Sequence, residues 1–307
     1  MRKHCAVGPI FRSAIGQRAK RAKGAEKGKG SDPQGTIAAA MTKRAVILAR
    51  GLGTRMRKTD DGADVNSAQA AVASTGVKAL IPIGRPFLDY VLSAVADAGI
   101  TEVCLVIGQE HDVLRERYEA GVTRLRVSTA VQQEPRGTAD AVLAAEAWTA
   151  GEPFLVLNSD NYYPSDALQP LAAAGEPALV AFSRAGLLQD GQIDSDRIGR
   201  FAVLDLAGDS LRHIIEKPDA AQLDALGPDV YVSMNCWRFD SRIFDACRGV
   251  PLSPRGELEL PMAVDRAIAA GAFNVRAVKC HTGVLDLSSR NDIAAVATRL
   301  AGVEVRL

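Results

Sequence analysis

"AVILARGLGTRMRK", residues 45–58, starts as a run of β-formers and breaks off in two glycines, a threonine and fixed positive charge. Gly51 and Gly53 at the end of a strand let the backbone approach a ligand. Glycine takes positive φ readily, and successive N–H groups in such a turn form an anion nest. Arg55 adds a planar fork suited to phosphate oxygens. The ligand these features point to is a polyphosphate. Two familiar phosphate loops do not fit. A G-x-G-x-x-G fingerprint needs glycine at 56, where Met56 stands, and the Walker G-K-[ST] is absent. A tight βα turn with a surface arginine would look the same over these few residues, so the decision rests on what surrounds them.

Outward from this stretch, short apolar runs alternate with helical patterns. Residues 45–49, 102–108, 125–131, 153–159, 178–182 and 274–280 read as strands, most of them apolar on both faces as strands between helix layers must be. Leu88, Val91, Leu92 and Val95 fall at i, i+3, i+4 and i+7 on one face of a helix that ends at Gly99. "GTADAVLAAEAW" follows a turn at 134–137, "PSDALQPLAAAG" opens on a cap at Ser165, and "ELPMAVDRAIAAG" places Pro261 near a helix start. Trp148 reads as core. The alternation predicts a three-layer α/β fold with a mostly parallel, Rossmann-like sheet. Residues 196–240 differ: "GRFAVLD", "SLRHIIEKP" and "VYVSMNCWRF" read as strands joined by short turns with no helix between, an antiparallel excursion. Residues 59–77 read as a polar loop plus a short Ala-rich helix.

The chain has 307 residues, 47% hydrophobic and 24% charged, which is ordinary globular composition. No apolar run approaches the roughly 18 residues that span a bilayer, and the N-terminus lacks the apolar core of a signal peptide, so a cytoplasmic protein without a membrane partner is expected. The net charge of +1 hides an asymmetry. Residues 1–40 hold nine Lys/Arg against Glu26 and Asp32, a net of +7, which leaves 28 basic and 34 acidic residues, or −6, for 41–307. The basic segment 1–40 has little to bury and reads as a disordered tail, or as the product of an upstream start codon with Met41 the true beginning. The acidic remainder, one domain over 41–307, shows no basic face, which argues against nucleic acid. Cys5, Cys104, Cys236, Cys247 and Cys280 are widely spaced, without C-x-x-C or a histidine at zinc-finger distance, so structural zinc and disulfides are not expected. His4, His111, His213 and His281 pair with no nucleophile motif.

Chemistry-bearing residues follow in order downstream. Lys78 in "VKALIPIGRP" precedes an apolar segment. "QQEPRGTADAV" ends a strand in a Pro–Gly turn with Gly137 and Thr138 opening a helix. Asp160 in "FLVLNSDN" and Asp286 in "GVLDLSS" are acids at the ends of apolar stretches, and Glu216 and Lys217 close the strand "IIEKPD". In a doubly wound sheet such positions gather at the carboxyl ends of the strands. Each alone is weak, since a strand-end Asp is often only a helix cap. Two such acids could hold Mg²⁺, a hard cation that takes oxygen ligands.

Taken in this order, L-A-R-G-L-G-T-R-M with its following lysine, Q-x-E-P-x-G-T-A, S-D-N, E-K-P and R-G-E-L-E resemble the sugar-1-phosphate nucleotidylyltransferase family over about residues 43–300. The resemblance implies an Mg²⁺-dependent transfer of a nucleotidyl group from an NTP to a sugar 1-phosphate, giving an NDP-sugar and pyrophosphate. Its alternative is a catalytically inactive regulatory protein that binds nucleotide sugars. The resemblance makes Arg55, Lys78 and Asp160 the catalytic set. It gives Ala49, Gly51, Gly53, Thr54, Gln132, Gly137 and Thr138 to the nucleotide, Gly199, Glu216, Lys217 and Glu257 to the sugar phosphate, and Asp160 and Asp286 to the metal. R-G-E-L-E and E-K-P lean toward UTP or dTTP; homo-oligomerisation is left open. Four departures stand out. Arg50 replaces a small residue at the base pocket, Asn235 replaces a glycine, Val284 replaces a tryptophan beside Asp286, and the stretch between Met56 and Lys78 is long enough to read as a lid. Asn tolerates left-handed backbone better than most residues, so the turn at 235 is expected to survive.

Overall fold

The computed structural model describes residues 41–59, 62–191, 193–227 and 229–307; the basic segment 1–40 lies outside them. In chain order the strands of the main sheet are β1 (Arg44–Leu48), β2 (Glu102–Ile107), β3 (Arg126–Val131), β4 (Phe154–Asn158), β5 (Ala178–Ser183), β6 (Ala202–Ala207), β7 (Ser210–Ile215), β8 (Tyr231–Phe239) and β9 (Arg276–Cys280). Their order across the sheet is β3-β2-β1-β4-β8-β5-β9-β7-β6. The six strands predicted from apolar runs all form.

The reason those runs lack a polar face is visible in how they alternate. In β1, Ala45 and Ile47 join one hydrophobic cluster and Val46 the other. β2 splits the same way, with Val103, Leu105 and Ile107 against Cys104 and Val106. Both faces are therefore core, and every second residue feeds a different helix layer. The helix Phe87–Asp97 closes one cluster and Leu260–Ala269 the other, with Pro261 in the first turn of the latter. Among the described residues no helix is long and apolar enough to cross a membrane. Burial also makes the described cysteines inert: it pushes the Cys104 and Cys247 thiols up to about 12.

Three local expectations change. The antiparallel excursion reaches further into the sheet than residues 196–240 alone imply: β8 pairs with β6 through Tyr231–Ser233 and continues inward. It inserts antiparallel between β4 and β5, while β1, β2, β3 and β4 run parallel. A helix, Ala220–Ala225, does separate β7 from β8. Its signal is a capping box at Asp219 and Gln222, whose side chains each accept from the other's backbone N–H. Trp148 is only half-buried, with the Arg44 guanidinium 5.6 Å over its ring.

The long stretch before Lys78 folds as the helix Ser67–Thr75, capped by Asn66 and Gln69 in a reciprocal box. Ala73 is buried in the core, and Gln69 Nε2 donates to the Pro82 carbonyl. The lid reading fails here: among the described residues of 57–77, only Val77 lines the cleft described below. Its C-terminal Gly76 packs against the glycine loop instead. A Cβ on Gly53, which has φ +59°, would lie 2.2 Å from the Gly76 carbonyl oxygen. Gly53→Ala should therefore lose at least about 1–2 kcal/mol from the left-handed backbone alone, and more from the collision. A Tm lowered by several degrees checks this, and an unchanged Tm would show that the loop relaxes freely.

Candidate active site

Because β1, β3 and β4 are parallel, whatever follows their carboxyl ends collects on one edge. That edge carries a cleft of about 430 Å³. Ala49, Gly51, Gly53, Thr54 and Arg55 line it from the loop after β1, Gln132, Gly137 and Thr138 from the turn after β3, and Asp160 from the end of β4. Lys78 enters from the 3-10 turn Lys78–Leu80 and donates from Nζ to Asp160 Oδ2 at 2.8 Å. Arg55, Lys78 and Asp160 thus face one space. Arg55 makes no ion pair among the described residues, so its charge is available to a ligand.

The turn after β3 is tightly built. Gly137 has φ +123°, and a Cβ there would lie 2.4 Å from the Leu258 carbonyl oxygen. Gln132 is buried and donates from Nε2 to the Gly137 carbonyl (3.0 Å) and to Asp140 Oδ2 (2.8 Å), which leaves its amide oxygen as the outward acceptor. Thr138 reaches the cleft wall, but its hydroxyl accepts from the Leu260 N–H and so satisfies the start of the distant helix Leu260–Ala269. Arg50 also lines the cleft and donates from a terminal nitrogen to the Gln132 carbonyl, tying the ends of β1 and β3 together. Its Nε is buried without a hydrogen-bond partner among the described residues, and Glu110 Oε1 stands at 3.7 Å, an ion-pair distance only.

A second cleft of about 240 Å³ adjoins the first and shares Arg55, Thr138, Asn235 and Glu257 with it. Asn235 sits where β8 slips register against β5, and it holds φ +54°, the left-handed conformation its residue type tolerates. Glu216, Lys217 and Glu257 line this cleft as anticipated. Gly199 does not. It ends the helix Ser195–Ile198, and the next three residues, Arg200, Phe201 and Ala202, face the cleft in its place. Arg197, which no sequence motif marked, and Arg255, which opens R-G-E-L-E but was given no role there, line it too; Arg255 is paired with Glu259 at 2.9 Å.

Crowding by protein and the nearby Glu259 carboxylate push the Glu216 carboxyl up from its ordinary value, against Arg255 and Lys217. The folded state then holds that proton more tightly than the unfolded chain. Stability is full below the unfolded value near 4.5 and falls as pH rises through the folded one. Glu216→Gln removes this loss, so its Tm should match wild type at pH 4 and exceed it at pH 8. A lower Tm at pH 8 would mean the charged carboxylate is held favourably.

Asp286 is held differently from Asp160. The two-stranded ribbon of Asn161–Tyr162 with Leu285–Asp286 does bring it beside Asp160. It is buried and is not among the residues that line the cleft, and both its oxygens are engaged. Oδ1 accepts from Asn161 Nδ2 (3.1 Å), and Oδ2 accepts from Arg197 (2.6 Å) and Ser288 (2.7 Å). Burial first, and then Asp160, push its carboxyl up, while Ser288 and Arg197 pull it down. Among the described residues no group of three or more His, Cys, Asp or Glu side chains forms a metal cluster. The donor chemistry still suits a hard divalent cation, which takes carboxylate oxygens and keeps several waters. Contact with both acids would relieve their mutual repulsion.

Comparison with known proteins supplies the family. The sequence model of Nucleotidyl transferase matches residues 44–298. The chain is 25% identical over 252 residues to the UTP–glucose-1-phosphate uridylyltransferase AglF of Haloferax volcanii, covering 81% of this chain and 93% of AglF. It is 30% identical over 236 residues to the glucose-1-phosphate thymidylyltransferase of Streptomyces antibioticus, covering 75% of this chain but only 58% of that protein. Among solved structures, a UDP-glucose pyrophosphorylase complexed with UDP-glucose superimposes with TM-score 0.67 at 17% identity, over 86% of this chain and 100% of its own. The chain belongs to the Nucleotidyl transferase family, among its sugar-1-phosphate nucleotidyltransferases.

Proposed function

We propose that the protein transfers a nucleotidyl group from UTP or dTTP to a sugar 1-phosphate with the help of Mg²⁺, releasing pyrophosphate. The observation that carries this reading is the common cleft of Arg55, Lys78 and Asp160, opening directly into a second, cation-rich cleft. Two joined clefts suit two anionic substrates. The names of the relatives, one uridylyl- and one thymidylyltransferase, support a pyrimidine base.

In this reading the N–H groups at Gly51 and Gly53, with Thr54 and Arg55, hold the β- and γ-phosphates. Gln132 offers its outward amide oxygen to a base N–H, with Ala49 and Gly137 framing the ring. Glu216, Lys217 and Glu257 hold the sugar phosphate. A phosphate oxygen of the sugar attacks the α-phosphorus in line; the new O–P bond forms as the bond to pyrophosphate breaks. Positioning and charge neutralisation dominate such transfers, so no side-chain nucleophile is needed. Lys78 shifts from Asp160 toward the α-phosphate, and Arg55 offsets charge growing on the leaving pyrophosphate. Mg²⁺, held by Asp160 and Asp286, would supply Lewis-acid stabilisation of the phosphate oxygens.

A pyrophosphate-release screen of the common NTPs against a panel of hexose 1-phosphates tests the reading. Turnover with UTP or dTTP and one sugar phosphate is expected. Binding of nucleotide sugars without any release would instead favour the regulatory alternative.

A further inference from the structure

The two acids assigned to the metal are each held by a different cation. Lys78 pairs with Asp160 at 2.8 Å, and Arg197 pairs with Asp286 at 2.6 Å. Arg197 is a bridge: its other terminal nitrogen pairs with Asp292 Oδ1 at 2.7 Å. Its side chain is 17% exposed, and what it exposes lines the second cleft, where Arg200 and Lys217 make no ion pair among the described residues. One guanidinium therefore stands at the border between the metal-side acid and the space that would receive a sugar phosphate. No neighbour depends on it for its only partner. Without Arg197, Asp286 keeps Ser288 and Asn161, and Asp292 keeps the N–H and hydroxyl of Ser289 at 2.6 and 2.9 Å.

We propose that Arg197 is a positioning residue that changes partner during the reaction, holding Asp286 Oδ2 before substrate arrives and turning to the sugar phosphate when it binds, which releases Asp286 to the divalent cation. The inference rests on the nucleotidyl-transfer reading above. The chemistry favours the exchange. A planar guanidinium binds a phosphate through two parallel N–H···O bonds as readily as it binds a carboxylate. The Oδ2 it leaves is a hard oxygen donor of the kind a divalent cation takes. Since Arg197 and the cation compete for one oxygen, removing Arg197 should strengthen metal binding while weakening that of the sugar phosphate. A residue that merely braced the fold would weaken both. Coupling between two ligands is reciprocal, so in the wild type each should tighten the other.

The test is Mn²⁺ binding to the full chain, followed by electron paramagnetic resonance, with the metal alone and then with glucose 1-phosphate. Arg197→Gln should bind Mn²⁺ alone about tenfold more tightly than wild type, within the usual range of coupling factors. The double variant Arg197→Gln with Asp286→Asn should lose that gain. Arg197→Lys, whose single ammonium cannot bridge Asp286 and Asp292, should show a smaller gain and serves if Arg197→Gln does not fold. KM for glucose 1-phosphate should rise in both single variants. Mn²⁺ affinity in Arg197→Gln equal to or below that of wild type would overturn the proposal, as would a gain that survives Asp286→Asn. Failure of the broader reading is separate: wild type would then release no pyrophosphate with any NTP and sugar phosphate, whatever the manganese titrations give.

Discussion

Arg55→Ala is expected to lower kcat about 10³-fold or more and to leave the fold intact. The arginine lies in the first turn after the glycine loop, is exposed, and lines both clefts. Among the described residues no acid pairs with it, so no such pair needs to be broken before it can meet phosphate. In related phosphoryl chemistry an arginine aimed at developing charge is worth roughly 10³–10⁵ in rate. For the same reason its loss should hardly touch stability, since exposed substitutions away from packing or pairing usually fall within about 0.5 kcal/mol. A pyrophosphate assay and a thermal melt on the same preparation separate the two effects. A rate loss under roughly tenfold would take Arg55 out of the site.

Asp160→Asn is expected to abolish Mg²⁺-dependent turnover. Among the described residues the carboxylate accepts a side-chain hydrogen bond only at Oδ2, from Lys78, and a quarter of its side chain is exposed toward the cleft. The amide keeps the shape and removes the charge, so the metal loses its accessible ligand and Lys78 its counter-ion. A point of backbone support remains unaffected, because the Asp160 carbonyl accepts from Leu287 N–H at 2.9 Å in either case. The variant should therefore fold. Retained activity with Mg²⁺ would place the metal elsewhere.

Much of this was legible before any coordinates. Strands buried on two faces write themselves as unbroken apolar runs, which is why residues 45–49 and 102–108 could be located from sequence. The cleft edge followed from strand direction, so Gln132, Gly137 and Asp160 arrived together as expected. Asn235 kept the positive φ that its residue type permits. What sequence hid was of two kinds. The first is register: the resemblance gave Gly199 to the sugar phosphate, but Ala202 pairs with Ser233 of β8, and it is Arg200, Phe201 and Ala202 that line the cleft. The second is long-range pairing. Arg197 and Asp286 are 89 positions apart, and no local pattern announces that one occupies the other. The helix Ala220–Ala225 is a milder case, since D-x-x-Q at Asp219 was there to be read.

The close approach of Gly53 to Gly76 bears on how such proteins can be recombined. Only a chain without side chains at both positions lets these two turns touch, and Arg57 Nε adds a bond to the Thr75 carbonyl across the same seam. Lys78 begins two residues after Gly76, so the nest and its lysine form a single mechanical block. Chimeras that exchange the first loop alone between relatives will split that block, whereas a cassette cut at 50 and 80 carries it whole.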